Sequence, residues 1–168
     1  MEPVYVEATI NDRLVRINKN DSMDVWIWRD YYITIPKWIK KKPTLTTDKK
    51  TGYTKYIMGI NLKTCRLSRI VYKAHNPDWD ITDTSSNNFI DHINNNSLDN
   101  RIENLRILTH QQNQFNSKAK GYCWCKQRNK WNATIKLNRK NIHLGSFKLE
   151  EDAKQAYLEA KKTYHIIA

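Results

Sequence analysis

Phe89-Ile90-Asp91-His92-Ile93 is a short apolar strand with a carboxylate and an imidazole side by side. A polar loop through Asn94-Asn95-Asn96 follows, and a second strand runs roughly from Leu105 to Leu108. Thr109 is placed to cap a helix that continues to about Asn116. The order strand, loop, strand, helix is therefore imposed within a short span. Asn104 opens its second strand, and Asn113 falls about one turn into its helix.

That set of side chains suits one-metal hydrolysis of a phosphodiester. Such chemistry needs oxygen ligands for a hard cation, a base for water, and a group to orient the base. Neighbouring strand residues point to opposite sides, so Asp91 could hold a cation while His92 reaches the scissile phosphate. A helix packed on the strands could bring Asn113 to the metal beside Asp91. The Asn104 amide carbonyl could accept the imidazole N–H and fix its tautomer. His75, His110, His143 and His165 lack this setting, although His110 lies close enough in sequence to line the site's edge.

Charge narrows the partner. The chain carries 29 Lys and Arg against 17 Asp and Glu, a net charge of +12. That balance favours a polyanion, above all nucleic acid. From Asn104 to Leu149 there is no acidic residue, while the same stretch holds ten Lys and Arg, among them Lys118 and Lys120. No apolar run approaches the roughly 20 residues of a spanning helix. Met1 to Ile10 shows no basic segment followed by an apolar core, so an intracellular, cytoplasm-like compartment is expected. Cys65, Cys123 and Cys125 make neither a disulfide framework nor a four-ligand zinc site. Reduced thiols and no structural zinc are expected.

Residues 1 to 63 are strand-rich, with Val4–Val6, Leu14–Ile17, Val25–Trp28, Tyr31–Ile35 and Tyr56–Ile60 as β segments. Asn18 to Asp24 and Thr46 to Gly52 carry turn residues. Trp26, Trp28, Tyr31 and Trp38 are read as sheet-face or core packing. Lys40-Lys41-Lys42 gives a strand a basic tip that could touch phosphate or remain solvated. Leu62 to His75 reads as a helix, with Leu67, Ile70, Val71 and Ala74 at helical spacing and Asn76-Pro77 as its stop.

Beyond a connector at 115–120, Gly121 to Lys126 is a strand. Trp131, Ala133, Ile135 and Leu137 alternate along the next one, and Ile142 to Phe147 is a third. Gln127–Lys130 and Asn138–Asn141 are the turns. Glu150 to Tyr164 is an amphipathic helix with Ala153, Ala156, Tyr157, Ala160 and Tyr164 on one stripe. Its acids stand at the start and Lys161-Lys162 near the end, which suits the helix dipole.

Asp91-His92-Ile93, Ser97-Leu98-Asp99-Asn100-Arg101-Ile102-Glu103-Asn104-Leu105-Arg106, and then Thr109 and Asn113, resemble the signature of the HNH homing endonucleases of the intron-encoded phage type. The resemblance implies a ββα-metal fold and Mg2+- or Mn2+-dependent cleavage of duplex DNA, with one ion per site. By position it implies Asp91 and Asn113 as metal ligands, His92 as general base and Asn104 as the group behind it. Asn94 and Asn95 stand where that family often has an Asp-Gly turn, and Ser68 where it often has His.

Residues 119–168 resemble the DNA-binding domain of the plant ethylene-response factors, the AP2 domain. The carrying residues are Lys120-Gly121-Tyr122, Lys130 to Ile135, Ile142 to Phe147 and the Glu150 to Tyr157 segment. The resemblance implies a three-stranded antiparallel sheet laid in the major groove with a helix on its back. Trp131, Ala133, Ile135 and Leu144 would then meet the helix. Asn132, Thr134, Lys136 and His143 would face DNA, while Arg128, Lys130, Arg139 and Lys140 would grip phosphates. Cys123 and Cys125 would fall on the DNA face, where the plant proteins place arginines.

The expected fold class is α+β: a ββα-metal HNH nuclease domain with a strand-rich N-terminal extension over 1–116, then an AP2-like sheet and helix over 119–168. The expected function is a metal-dependent DNA endonuclease, with a non-catalytic, sequence-specific DNA-binding regulator as the alternative. One site per chain cuts one strand, so a double-strand break needs a dimer or two visits.

Overall fold

Asn11 and Asp12 adopt positive φ, 47° and 61°, in a two-residue turn that matches the right-handed twist of the strands it joins. Those strands are β1 (Tyr5–Ile10) and β2 (Arg13–Asn18). β3 (Asp21–Arg29) and β4 (Lys37–Lys41) extend them into an antiparallel sheet ordered β1-β2-β3-β4. In this computed structural model, residues 2–30, 35–85, 87–115, 120–138 and 140–165 are described. Four residues of the strand expected at Tyr31–Ile35, namely 31–34, lie outside them; Ile35 itself is in a bend, and the next strand begins at Lys37.

A second antiparallel sheet comprises β5 (Thr44–Thr47), β6 (Thr54–Ile60) and β7 (Lys63–Arg66). The turn expected from Thr46 is confined to the residues after β5. There Asp48 Oδ1 accepts from the backbone N–H of Lys50 and Thr51 and from Thr51 Oγ1. The helix expected from Leu62 starts at Leu67, as α1 (Leu67–His75). Lys63–Arg66 is strand instead, because these residues pair with Ile57–Ile60. Helical periodicity cannot register a cross-strand partner.

One core organises the first unit, residues 1–107. Leu67, Ile70, Val71 and Ala74 are each at most 3% exposed. They pack with Ala8, Ile10, Val15, Ile17 and Val25 of the first sheet, with Met58 and Ile60 of the second, and with Leu105. Each such aliphatic side chain contributes about 1.5–3 kcal/mol on full burial. β1, β2, β3 and β6 are thus built into the same core as the helix that precedes the site.

Arg69 carries that core's order into the next loop. Its guanidinium donates to the carbonyls of Ile81, Asp83 and Asn88 and lies 4.7 Å over the Trp79 ring. Asn88 is 7% exposed, and its Nδ2 donates to the carbonyls of Asp80 and Asp83. The loop so fastened delivers the chain into β8 (Phe89–His92), which pairs with β9 (Leu105–Leu108) after a 3-10 turn at Ile102–Asn104.

The second unit is residues 108–168. Its first helix, α2 (His110–Phe115), opens with reciprocal bonds. Thr109 Oγ1 accepts from Gln112 N–H, and Gln112 Oε1 accepts from Thr109 N–H, a capping box. α2 falls within this second compact unit. The reason is contact: Phe115 is 8% exposed and stacks on His165 at 3.9 Å, and Gln111 Nε2 donates to Asn138 Oδ1. Burial lowers the His165 pKa.

β10 (Tyr122–Cys125), β11 (Lys130–Leu137) and β12 (Lys140–Phe147) form an antiparallel sheet backed by α3 (Glu150–Tyr164). Ala133, Ile135, Ala153, Tyr157 and Ala160 are buried, with Ile142 and Leu144 against them. One expectation shifts: Tyr164 is 43% exposed, since it lies in the last helical turn. Trp131 is half-buried and packs edge-on to Trp124 and Tyr122.

Gly121 has φ +70°, and a Cβ built there would meet Tyr157 Cε2 at 2.0 Å. Gly121→Ala is expected to destabilise the second unit by about 2–4 kcal/mol through backbone strain and displacement of the Tyr157 ring. Denaturant unfolding followed by tryptophan fluorescence measures it; an unchanged midpoint would contradict the packing described.

Candidate active site and nucleic-acid interface

Asp91 and His92 end β8, where Asp91 is 8% exposed and His92 is half-buried. Arg106 on β9 donates from Nε to Asp91 Oδ2 at 3.0 Å. A buried carboxylate is thereby charge-paired. Among the described residues no cluster of three His, Cys, Asp or Glu could hold a metal. A cation at Asp91 would therefore draw its remaining ligands from amides, water or a substrate phosphate. Carboxylate and amide oxygens are the hard donors that Mg2+ and Mn2+ accept, so the donor set fits such an ion.

His92 has a partner the sequence did not single out. Asn100 is 3% exposed, and its Nδ2 donates to Leu98 O at 3.2 Å. That bond fixes the amide's orientation and turns Oδ1 toward His92 Nε2, 3.2 Å away. An amide oxygen only accepts, so this bond is one that His92 makes through an Nε2–H.

Asn104, expected to orient His92, makes its side-chain bonds within the β8–β9 loop. It is 7% exposed; its Oδ1 accepts from Asn94 N–H at 3.0 Å, and its Nδ2 donates to Asn94 Oδ1 and to Asp99 O. Its backbone carbonyl accepts from Ile93 N–H at 2.9 Å. The amide thus fastens both ends of the β8–β9 loop, and its contacts do not include the imidazole. Asn100 sits inside that loop, where the chain turns back toward β8, and so comes within hydrogen-bond distance of His92. Its burial sets Asn100 apart in an otherwise polar loop, and burial cannot be read in the sequence.

The rest of the loop is held by its own polar groups. Asn95 takes φ 59° in the turn after β8. Arg101 grips Asp99 with two bonds of 2.9 and 2.8 Å, and Asn94 Nδ2 donates to Asp99 Oδ2. The Arg101 guanidinium holds the Asp99 carboxyl well below the usual carboxylate range. Ser97 Oγ donates to Thr54 O, which anchors the loop to β6. Asn113, the second expected metal ligand, is in α2 of the other unit, half-buried, its N–H bonded to Thr109 O.

The second unit presents a polar sheet face. Register pairs Thr134 with His143, Asn132 with Ser146, Lys136 with Asn141, and Cys123 with Asn132. These residues alternate with the buried Ala133 and Ile135, so they lie on the side away from α3. Thr134, Lys136, His143, Lys130, Lys140 and Arg128 are exposed. Ser146, not singled out in sequence, donates to Asn132 Oδ1 at 2.7 Å and lies 3.4 Å from His143 Nε2. Arg139 lies outside the described residues.

Residues 65–115 match the family model of the HNH endonucleases. The matched stretch runs from β7 through α1, β8 and β9 to the end of α2, and it contains Asp91, His92, Asn100, Asn104 and Asn113. The match supports an HNH nuclease. No curated protein and no solved structure matches the chain.

The two asparagines should separate on mutation. Asn104→Ala leaves three polar partners without their bonds and is expected to cost about 2–4 kcal/mol of stability. Asn100→Asp keeps the acceptor and adds a charge that raises the imidazole's pKa, so the acid limb of a cleavage–pH profile should move to higher pH. Chemical denaturation and pH-rate profiles measure these. Equal stability of Asn104→Ala and wild type, or an unmoved profile in Asn100→Asp, would contradict the roles given.

Proposed function

We propose that the chain is a homing-type endonuclease that hydrolyses phosphodiester bonds in duplex DNA. The observation that carries this reading is the buried Asp91 next to His92 in a β8–β9 pair locked by Asn104, within a stretch that matches the HNH endonucleases. His92 Nδ1 takes the proton from a water molecule while Asn100 holds the ring from Nε2. The water attacks phosphorus in line, the bond to the 3′ oxygen breaks, and that oxygen gains a proton from solvent. Arg106 places positive charge beside Asp91, next to where the phosphate would lie.

Asp91 and Asn113 would hold a single Mg2+ or Mn2+ ion. Such an ion supplies Lewis-acid stabilisation of charge on the phosphate and the leaving oxygen. The second unit acts as an AP2-like duplex-binding module. Its sheet face, with Asn132, Thr134, Lys136 and His143, reads the groove, while Arg128, Lys130, Arg139 and Lys140 neutralise phosphates.

His92→Ala and Asp91→Ala are each expected to lower plasmid nicking in Mg2+ by at least about 100-fold, within the range ascribed to a general base. Duplex affinity should stay within about threefold. Full cleavage by either variant would sink the assignment, and loss of wild-type nicking in EDTA checks the metal. In the full chain, Lys130→Ala is expected to weaken duplex binding and to reduce the slope of log K against log salt by about 1. An unchanged slope would remove Lys130 from the interface.

A further inference from the structure

Leu62 does not suit its own turn. Asn61 and Leu62 link β6 to β7 with φ of 46° and 62°. The corresponding β1–β2 turn uses Asn11-Asp12, residues that tolerate left-handed backbone. A leucine is strained there, and its side chain is 106% exposed, so it gains nothing by burial. The turn is nonetheless rigidly set: Asn61 Nδ2 donates to Asn11 O at 2.9 Å, and Asn11 Nδ2 donates to Ile60 O at 3.2 Å. Neither propensity nor packing explains an apolar tip on a fixed turn. Strain and exposure of this sort point to a contact outside the chain.

What surrounds Leu62 indicates the kind of contact. It lines a cleft of about 360 Å3 with Arg13, Arg29 and Lys41, at the ends of three strands of the first sheet. Ile27, Ile39 and Trp28 supply its apolar lining. Arg13 is paired with Asp30 at 3.0 Å; among the described residues no acid lines the cleft itself. Lys41 belongs to the basic tip whose role the sequence left open. Cations around an apolar side chain match a nucleic-acid backbone, where phosphates take the charges and an apolar wedge meets sugars and base edges.

We propose that this cleft is a further duplex-DNA contact of the first unit, in which Arg29 and Lys41 hold phosphates and Leu62 presses into the groove. The proposal rests on the reading that the chain acts on DNA, but uses none of the residues assigned to cleavage. It gives β3 a binding role in addition to its place in the core.

The test is equilibrium binding of the full chain to random-sequence duplex DNA in EDTA, by fluorescence anisotropy over a salt series. Arg29→Gln with Lys41→Gln is expected to weaken binding about tenfold and to reduce the salt slope by about 2, about 1 for each phosphate contact. Leu62→Gly relieves the turn, so its unfolding midpoint should be unchanged or higher, while affinity falls about fivefold with the slope unchanged. Should the double variant fail to fold, Leu62→Gly decides alone. Wild-type affinity in Leu62→Gly would overturn the proposal, as would a loss confined to duplex RNA. Absence of wild-type binding to duplex DNA would overturn the nuclease reading as well; binding by wild type with unaffected variants overturns this proposal alone.

Discussion

The first unit depends on the burial of one helical stripe. Leu67, Ile70, Val71 and Ala74 face the inner residues of β1, β2 and β3 on one hand and of β6 on the other. Truncating one of the larger of these side chains leaves a cavity in that core, and cavity terms add to the lost transfer energy. The same helix projects Arg69 from a half-buried position onto three loop carbonyls that lead into β8. Apolar burial thereby becomes polar order at the site: the helix is fixed by its stripe, the loop by its arginine, and the strand bearing Asp91 and His92 by the loop.

Two asparagines finish what the helix begins. Both are nearly fully buried, and a buried amide is stable only when its oxygen and nitrogen find partners. Asn104 satisfies this with three bonds across the β8–β9 loop, while Asn100 does so with Leu98 and His92. The division is physically sensible. A group that locks a loop must bond backbone at both ends, whereas one that orients an imidazole must offer a single acceptor in a fixed direction. One side chain cannot satisfy both geometries at once.

Much of this was legible in sequence. The spacing of Leu67, Ile70, Val71 and Ala74 gives the helical stripe, and Thr109 the cap of α2. Alternation over Trp131–Leu137 gives the faces of the second unit's sheet at Ala133 and Ile135. The partners of polar groups were not legible. Lys63–Arg66 is strand only because β6 lies alongside, and Asn100 meets His92 only because the loop folds back. Arg106 looked like one cation in a basic run, yet its guanidinium rests on Asp91. Periodicity reports which side of an element is dry; it does not report which polar atoms meet across a loop.

Charge placement gives the arrangement its direction. Several acids of the first unit are committed to internal pairs: Asp24 with Lys40, Asp91 with Arg106, Asp99 with Arg101. These pairs consume carboxylates without neutralising the excess of cations, so a net +12 remains to repel itself. In the second unit the strands from Tyr122 to Phe147 contain no acid, and the residues around Thr134 and His143 expose their polar groups on the side opposite α3. Such a surface is destabilising to the isolated protein and is relieved when counter-charge arrives along a line, as phosphates do on a duplex. The same Coulomb term that makes the surface costly in water therefore draws the chain to a polyanion. The buried pair at Asp91 and Arg106 is screened far less by salt, so its geometry is held independently of that attraction.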